Sequence, residues 1–304
     1  MHKLGLALAG AIAGAAFAAI ASAQPMHSRL GWLNELSGQC FEGRDAAGAV
    51  VDRQCFQRQF SVLRSAITRS GGFQGESVLG WSRERGRLEL YAWSNRAAPA
   101  VYLPGFGIDG EMLLAGANRD ERILWRRTED GFQVVDQTRS GGAWTDASVI
   151  TYARAGAAPA VFSAQGVTGA APPDATFGWL TTLSGQCFRQ VEPTETATRG
   201  CFAMQYPGAL RQTWYWGGGQ ASGESLMFVE DGAIRFFHWD AQGNFGIGHS
   251  VWDNRRLLST TDSSGTRRTV MERSSASISL TTQTRENRVG EAWGVEREYR
   301  FRRV

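Results

Sequence analysis

Lysine is all but missing from this chain: Lys3 is the only one in 304 residues, and every later cation is an arginine. The 32 basic residues face 29 acidic ones, a formal net charge of +3 that falls to +2 once Lys3 is set aside. That balance excludes the strongly basic field of a nucleic-acid binder, and the arginine surplus reads as a compositional preference over lysine rather than phosphate recognition. Histidine is scarce. Beyond His2 there are only His27, His238 and His249, which limits hydrolase triads and metal sites. Neither Gly-x-Ser-x-Gly nor His-Glu-x-x-His occurs, and there is no Cys-x-x-Cys. Long apolar runs are absent after the first residues, so no stable membrane span is expected in the remainder.

The exception lies at the start. Lys3, the apolar stretch Leu4 to Ile20 and the small residues Ala21-Ser22-Ala23 have the layout of a secretory signal, residues 1–23, with the mature chain beginning near Gln24. An uncleaved anchor is the alternative. No cysteine follows the cleavage position, so lipidation there is not expected. A bacterial, secreted or periplasmic location follows, and in that setting four cysteines suggest disulfides. They fall in two local pairs, Cys40 with Cys55 and Cys187 with Cys201. With all four paired, a cysteine nucleophile is not expected.

Comparing the chain with itself is the most informative step. Gly31-Trp32-Leu33-Asn34-Glu35-Leu36-Ser37-Gly38-Gln39-Cys40-Phe41 returns as Gly178-Trp179-Leu180-Thr181-Thr182-Leu183-Ser184-Gly185-Gln186-Cys187-Phe188. The same register aligns Gly75-Glu76-Ser77 with Gly223-Glu224-Ser225, Trp93 with Trp239, Gln137-Thr138-Arg139 with Gln283-Thr284-Arg285, and Ala143-Trp144 with Ala292-Trp293. These matches imply a first repeat over 24–154, an Ala/Gly/Pro-rich linker over 155–176 and a second repeat over 177–304.

Apolar residues alternate with a period near two, as in Leu88-Glu89-Leu90, and turn signals such as Arg85-Gly86, Asp130-Gly131, Asp231-Gly232 and Gln242-Gly243 separate the runs. No segment carries a helical stripe. The expected fold is all-β: two tandem antiparallel up-and-down β-barrels with eight to ten strands each, the β-sandwich being the alternative.

The segment Trp-Leu-x-x-Leu-x-Gly-x-Cys-Phe opening each repeat resembles the first strand of lipocalin-like (calycin) barrels, especially exported bacterial families without an assigned role. Lipocalins proper carry Gly-x-Trp at that point, whereas here the tryptophans are displaced to Trp32 and Trp179. Arg154 and Arg303, near the end of each repeat, resemble the arginine that closes such barrels. The resemblance implies the fold and does not carry a ligand.

Candidate site residues follow from the alternation. With Gln242-Gly243 as a two-residue turn, His238 would face Ile247 and His249 would face Phe236, placing both histidines diagonally on one apolar face of the second repeat. A haem or metal could be met there, although two histidines without a third ligand seldom hold a metal, and no cofactor is expected. The aligned positions in the first repeat are Ala92 and Gly105. Glu76 and Glu224 either point into a barrel, desolvated, or face solvent beside an arginine. Trp93 and Trp239 either line a pocket or pack as core. Gly105-Phe106-Gly107-Ile108-Asp109-Gly110 matches Gly-x-Gly-x-x-Gly but lacks the strand-then-helix context of a phosphate site, and Gly217-Gly218-Gly219 reads as a loop.

Together these readings favour an exported, noncatalytic protein that binds a small apolar or amphipathic molecule, in the second repeat first and in the first repeat as a further candidate. A structural or interaction protein of the cell envelope with filled barrels is one alternative. An enzyme using Glu224 with His238 or His249 is another.

Overall fold

In the computed structural model the described residues are 28–107, 109–115, 120–159, 174–193, 198–205, 208–216, 221–261, 265–285 and 292–304. The signal segment, His27, most of the linker and Gly217-Gly218-Gly219 lie outside them. The described residues divide into two compact units, one ending at residue 159 and the other starting at residue 174. No helix among them is long and apolar enough to cross a membrane.

The first unit is a meander of β1 (Gln39–Arg44), β2 (Val50–Gln59), β3 (Val62–Arg69), β4 (Phe73–Ser82), β5 (Arg87–Ser94), β6 (Ala100–Tyr102), β7 (Pro104–Phe106), β8 (Met112–Ala115), β9 (Glu121–Arg127), β10 (Gly131–Ser140) and β11 (Ala143–Ala157). β1 pairs with both β2 and β11, which bends the sheet into a barrel with β6 and β7 as its two edges. Strand β11 runs three residues into the segment assigned above to the linker, because Gly156 and Ala157 pair with Cys40 and Gln39.

Proline explains why this barrel is not sealed by hydrogen bonds. Pro99 and Pro104 bracket the stretch that should be one closing strand, and a proline contributes no N–H to a ladder. The strand breaks at Leu103, so β6 pairs only with β5 and β7 only with β8. The Gly-x-Gly-x-x-Gly stretch falls at the β7–β8 hairpin, where the amide of Gly107 donates to Glu111 O (2.9 Å).

The second unit repeats the order without that break: β12 (Cys187–Glu192), β13 (Arg199–Met204), β14 (Ala209–Tyr215), β15 (Ala221–Glu230), β16 (Ala233–Asp240), β17 (Phe245–Asp253), β18 (Arg256–Thr260), β19 (Arg267–Arg273), β20 (Ser277–Thr284) and β21 (Gly294–Arg303) form a closed barrel. Strand β17 contains no proline and pairs on both sides. Asp231-Gly232 joins β15 to β16 with positive φ at both residues, as a type I′ turn requires. Both units are therefore antiparallel barrels of ten or eleven strands, and neither is a sandwich.

The shared opening motif forms a 3₁₀ segment in each unit, Ser28–Leu36 and Ala175–Leu183. Gly31 and Gly178 adopt positive φ within it, which explains why the repeat keeps glycine there. Leu30, Leu33 and Leu36, or Phe177, Leu180 and Leu183, join the inward residues of the barrel in one core. The indole of Trp32 donates to Gly110 O (3.0 Å) and that of Trp179 to Arg255 O (3.1 Å), so each tryptophan ties the segment to a strand-connecting turn. Arg154 and Arg303 pair with Phe41 and Phe188 where the last strand meets the first, with exposed side chains.

Each disulfide joins directly opposed residues of adjacent strands, Cys40–Cys55 across β1–β2 and Cys187–Cys201 across β12–β13. Closing loops of this length stabilises the fold by about 3 kcal/mol in the chain-entropy picture. Reduction is expected to lower the melting temperature of both barrels, followed calorimetrically with and without dithiothreitol; unchanged melting would show that the bridges constrain nothing.

The outer face of β3–β5 is itself buried. Glu89 is fully buried there and accepts from Tyr91 Oη (2.6 Å), Arg87 Nε (2.9 Å) and Arg85 (3.0 Å). Burial acts to raise the Glu89 pKa, but these hydrogen bonds outweigh it and hold the carboxyl below its ordinary 4.5. A carboxylate whose folded-state pKa is depressed stabilises the fold above its unfolded-state value, and that stability is lost as pH falls through the folded-state value. The first barrel should accordingly weaken as pH drops below about 4.5, and Glu89→Gln should flatten this part of the melting-temperature profile. A profile identical to that of the native chain would remove Glu89 from the acid response.

Candidate ligand site in the first barrel

Strand alternation and register decide which residues meet inside each barrel. In the first, Leu63, Ser65 and Ile67 of β3 face the interior with Ser77 and Leu79 of β4 and Leu88, Leu90 and Ala92 of β5, because these positions oppose one another in the ladders. Between them and β8–β11 lies a cavity of about 380 Å³. Ile67, Leu90, Ala92, Leu114, Ile123, Trp125, Val134 and Ile150 make its walls apolar. Several of these, including Ala92, Ile123, Trp125 and Val134, are only half-buried although they point inward, so water reaches them.

Two polar groupings interrupt the apolar wall. The Gln54 amide donates to Ser65 Oγ (3.2 Å), which lies 2.8 Å from Ser77 Oγ, a chain crossing β2, β3 and β4. Beside it Tyr152 Oη donates to Asp52 Oδ2 (2.7 Å), and Arg69 Nε donates to the same oxygen (3.2 Å). Burial, reinforced by the Asp52 carboxylate, pushes the Tyr152 pKa well above its ordinary value, so this phenol remains a donor. Asp136, which accepts from Ser148 Oγ (2.6 Å), adds a negative charge at the exposed side. An apolar chamber with a few fixed hydrogen-bonding groups can orient an amphipathic molecule.

No family model, curated protein or solved structure matches this chain.

At the corresponding places the second barrel carries Gln212 for Ser65, Ser225 for Ser77, His238 for Ala92, Ser259 for Leu114, Thr269 for Ile123 and Thr282 for Asp136. These side chains are buried, Gln212 at 0% exposure and Thr269 and Thr282 at 2% each, whereas Ala92 and Ile123 of the first barrel are half-buried and Asp136 is exposed. His238 lies so close over Gly246 that an added Cβ there would stand 2.9 Å from its ring, and Phe236 presses on Gly248 in the same way at 2.1 Å. The void described between Phe188, Phe202 and Trp214 holds about 10 Å³.

The histidines do not meet. The β16–β17 connection is a three-residue loop, Ala241 to Gly243, pinned by Asp240 Oδ1, which accepts from the amides of Gln242 and Asn244 (both 2.9 Å). His238 thus opposes Gly246 and His249 opposes Arg235. One added loop residue shifts the register by one and sends the two side chains to opposite faces. His238 points inward and is buried, whereas His249 points outward and is exposed. The Asp-x-x-Gly-x pattern that makes this loop, also present at Asp45 to Ala49, was the signal in the sequence. Among the described residues no cluster of His, Cys, Asp and Glu could hold a metal.

Glu76 and Glu224 fit neither of their expected settings. Both lie on the outer face, opposite Trp93 and Trp239, yet both are buried. Arg64 donates to Glu76 at 2.6 Å, and Arg211 stands 3.8 Å from Glu224. Trp93 and Trp239 pack on that outer face, and Glu76 and Trp93 border the first-barrel cavity without belonging to its inward set. Glu224, outside, and His238, inside, share no surface on which to act together.

Proposed function

We propose that this is an exported, noncatalytic, lipocalin-like protein arisen by duplication, whose first barrel binds a small apolar or amphipathic molecule. The observation that carries the reading is the 380 Å³ chamber of the first barrel, apolar in its walls and furnished with the Gln54–Ser65–Ser77 chain and the Tyr152 phenol. Its volume lies in the range of small-molecule pockets. Export is supported by the secretory layout of residues 1–23 together with two disulfides. Duplication and the lipocalin-like assignment are supported by the repeated opening motif and by two meanders of the same order.

The test is native mass spectrometry of the protein purified from its own host, followed by titration with an environment-sensitive apolar fluorophore. A stoichiometric extra mass, or saturable probe binding at one site per chain, supports the reading. Bare mass together with absence of probe binding would overturn it. A second reading applies to the second barrel alone: the buried side chains lining it, with His238 close over Gly246 and Phe236 over Gly248, favour a structural or interaction role.

A further inference from the structure

Outside both interiors, one cluster recurs. In the first barrel Arg122 of β9 and Arg139 of β10 bring their guanidinium carbons to 4.2 and 5.9 Å from the ring centroid of Trp144, on β11. In the second, Arg268 of β19 and Arg285, just after β20, stand 4.2 and 4.5 Å from that of Trp293. A glutamine fixes the first arginine in each case: Arg122 Nε donates to Gln137 Oε1 and Arg268 Nε to Gln283 Oε1, both at 2.7 Å. All eight residues lie on outer faces, because the neighbouring Ile123 and Thr269 point inward. The same arginines, glutamine and tryptophan are retained in both barrels, whereas Ala92, Leu114, Ile123 and Asp136 of the first interior are replaced by His238, Ser259, Thr269 and Thr282 in the second.

The arginines of the cluster lack the ion pairs that several other arginines of the first barrel make. Arg64, Arg69, Arg85, Arg87, Arg126 and Arg127 of the first barrel each lie within ion-pair distance of a carboxylate. Arg122 and Arg139 have none among the described residues, and the same holds for Arg268 and Arg285. An indole face stabilises a guanidinium by about 0.5–1 kcal/mol at an exposed site but does not neutralise it. In the second barrel the proton affinity of Arg268 is lowered, first by burial and then by the charges of Arg256 and Arg285, with the Asp253 carboxylate acting in the opposite sense.

We propose that each cluster is an oxyanion site for a phosphate monoester, with Arg122, Arg139 and Trp144 forming one and Arg268, Arg285 and Trp293 the other. With each Nε of Arg122 and Arg268 engaged by glutamine, the terminal nitrogens remain as donors to a second acceptor. Two cations on one indole match the charge of about −1.5 to −2 that a phosphate monoester carries at neutral pH. The stack holds both guanidiniums in place before the anion arrives, so little side-chain entropy is lost on binding.

The test follows indole ¹⁵N–¹H resonances of the full mature chain, with Trp144 and Trp293 assigned through Trp144→Phe and Trp293→Phe, during titration with inorganic phosphate at constant ionic strength. These two resonances should move saturably while the other indoles stay in place, and chloride should not reproduce the effect. The double variant Arg122→Gln/Arg139→Gln should weaken phosphate binding at Trp144 at least tenfold and leave Trp293 unaffected. Vesicles containing phosphatidic acid, compared with phosphatidylcholine alone, tell a lipid headgroup from a soluble ester. Equal shifts with chloride, or phosphate shifts unchanged in the double variant, would overturn the proposal and leave the stacks as purely structural contacts.

Discussion

Replacing Glu76 with alanine is expected to destabilise the first barrel by about 3–5 kcal/mol, because the Arg64 guanidinium it leaves behind is a buried charge without its 2.6 Å partner. The side chains of the two residues expose only 4% and 8%, so solvent cannot take over the role of the carboxylate. The corresponding pair in the second barrel, Arg211 and Glu224, stands at 3.8 Å. Truncating both partners removes the stranded charge, and Arg64→Met/Glu76→Leu should recover most of the loss. Chemical denaturation of the native chain, Arg64→Met, Glu76→Leu and the double variant, monitored on the transition of the first barrel, supplies the cycle. A Glu76→Ala cost below about 1 kcal/mol would mean that the pair is as weak as an exposed one.

Filling the first barrel should abolish its binding. Ala92 points into the cavity from the middle of β5, opposite Ala100, where the second barrel has His238 opposite Gly246. Ala92→Trp places an indole in the 380 Å³ chamber and is expected to weaken binding of an apolar fluorophore by a factor on the order of 100 or more. The chamber has space to receive the ring, so the melting temperature should change little, unlike overpacking of a dense core. His238→Ala is the companion measurement: it removes a buried ring packed over Gly246, should lower stability, and should leave probe binding as it was. If Ala92→Trp binds the probe normally, the ligand site lies elsewhere.

Much of the architecture was legible in the order of residues. Alternation around Leu88 and Leu90, the turn at Asp231-Gly232 and the repeated Trp-Leu motif led to paired meanders, and the cysteine spacing led to two local bridges. The candidate site was less legible. Sequence reasoning looked to the second repeat because it holds His238 and His249, and a turn one residue too short put them on one face. A cavity of about 380 Å³ lies in the first repeat, which holds no histidine among its described residues. Its signals were indirect: Ala92 in place of a large side chain, and Pro99 and Pro104 in a strand that has no proline in the other barrel. Glu76 was recognisable as a repeated acid, but its buried ion pair with Arg64 depends on the diagonal between β3 and β4.

By itself, then, the sequence determined the elements, their antiparallel order and the division into two similar halves, because these rest on local periodicity, turn chemistry and self-similarity. Tertiary structure alone decided which face of each strand turns inward and how full each interior is. A period of two says that alternate side chains part company but not which set meets the core. That choice is made when the sheet bends and β1 finds β11, or β12 finds β21, and one residue in a loop is enough to reverse it.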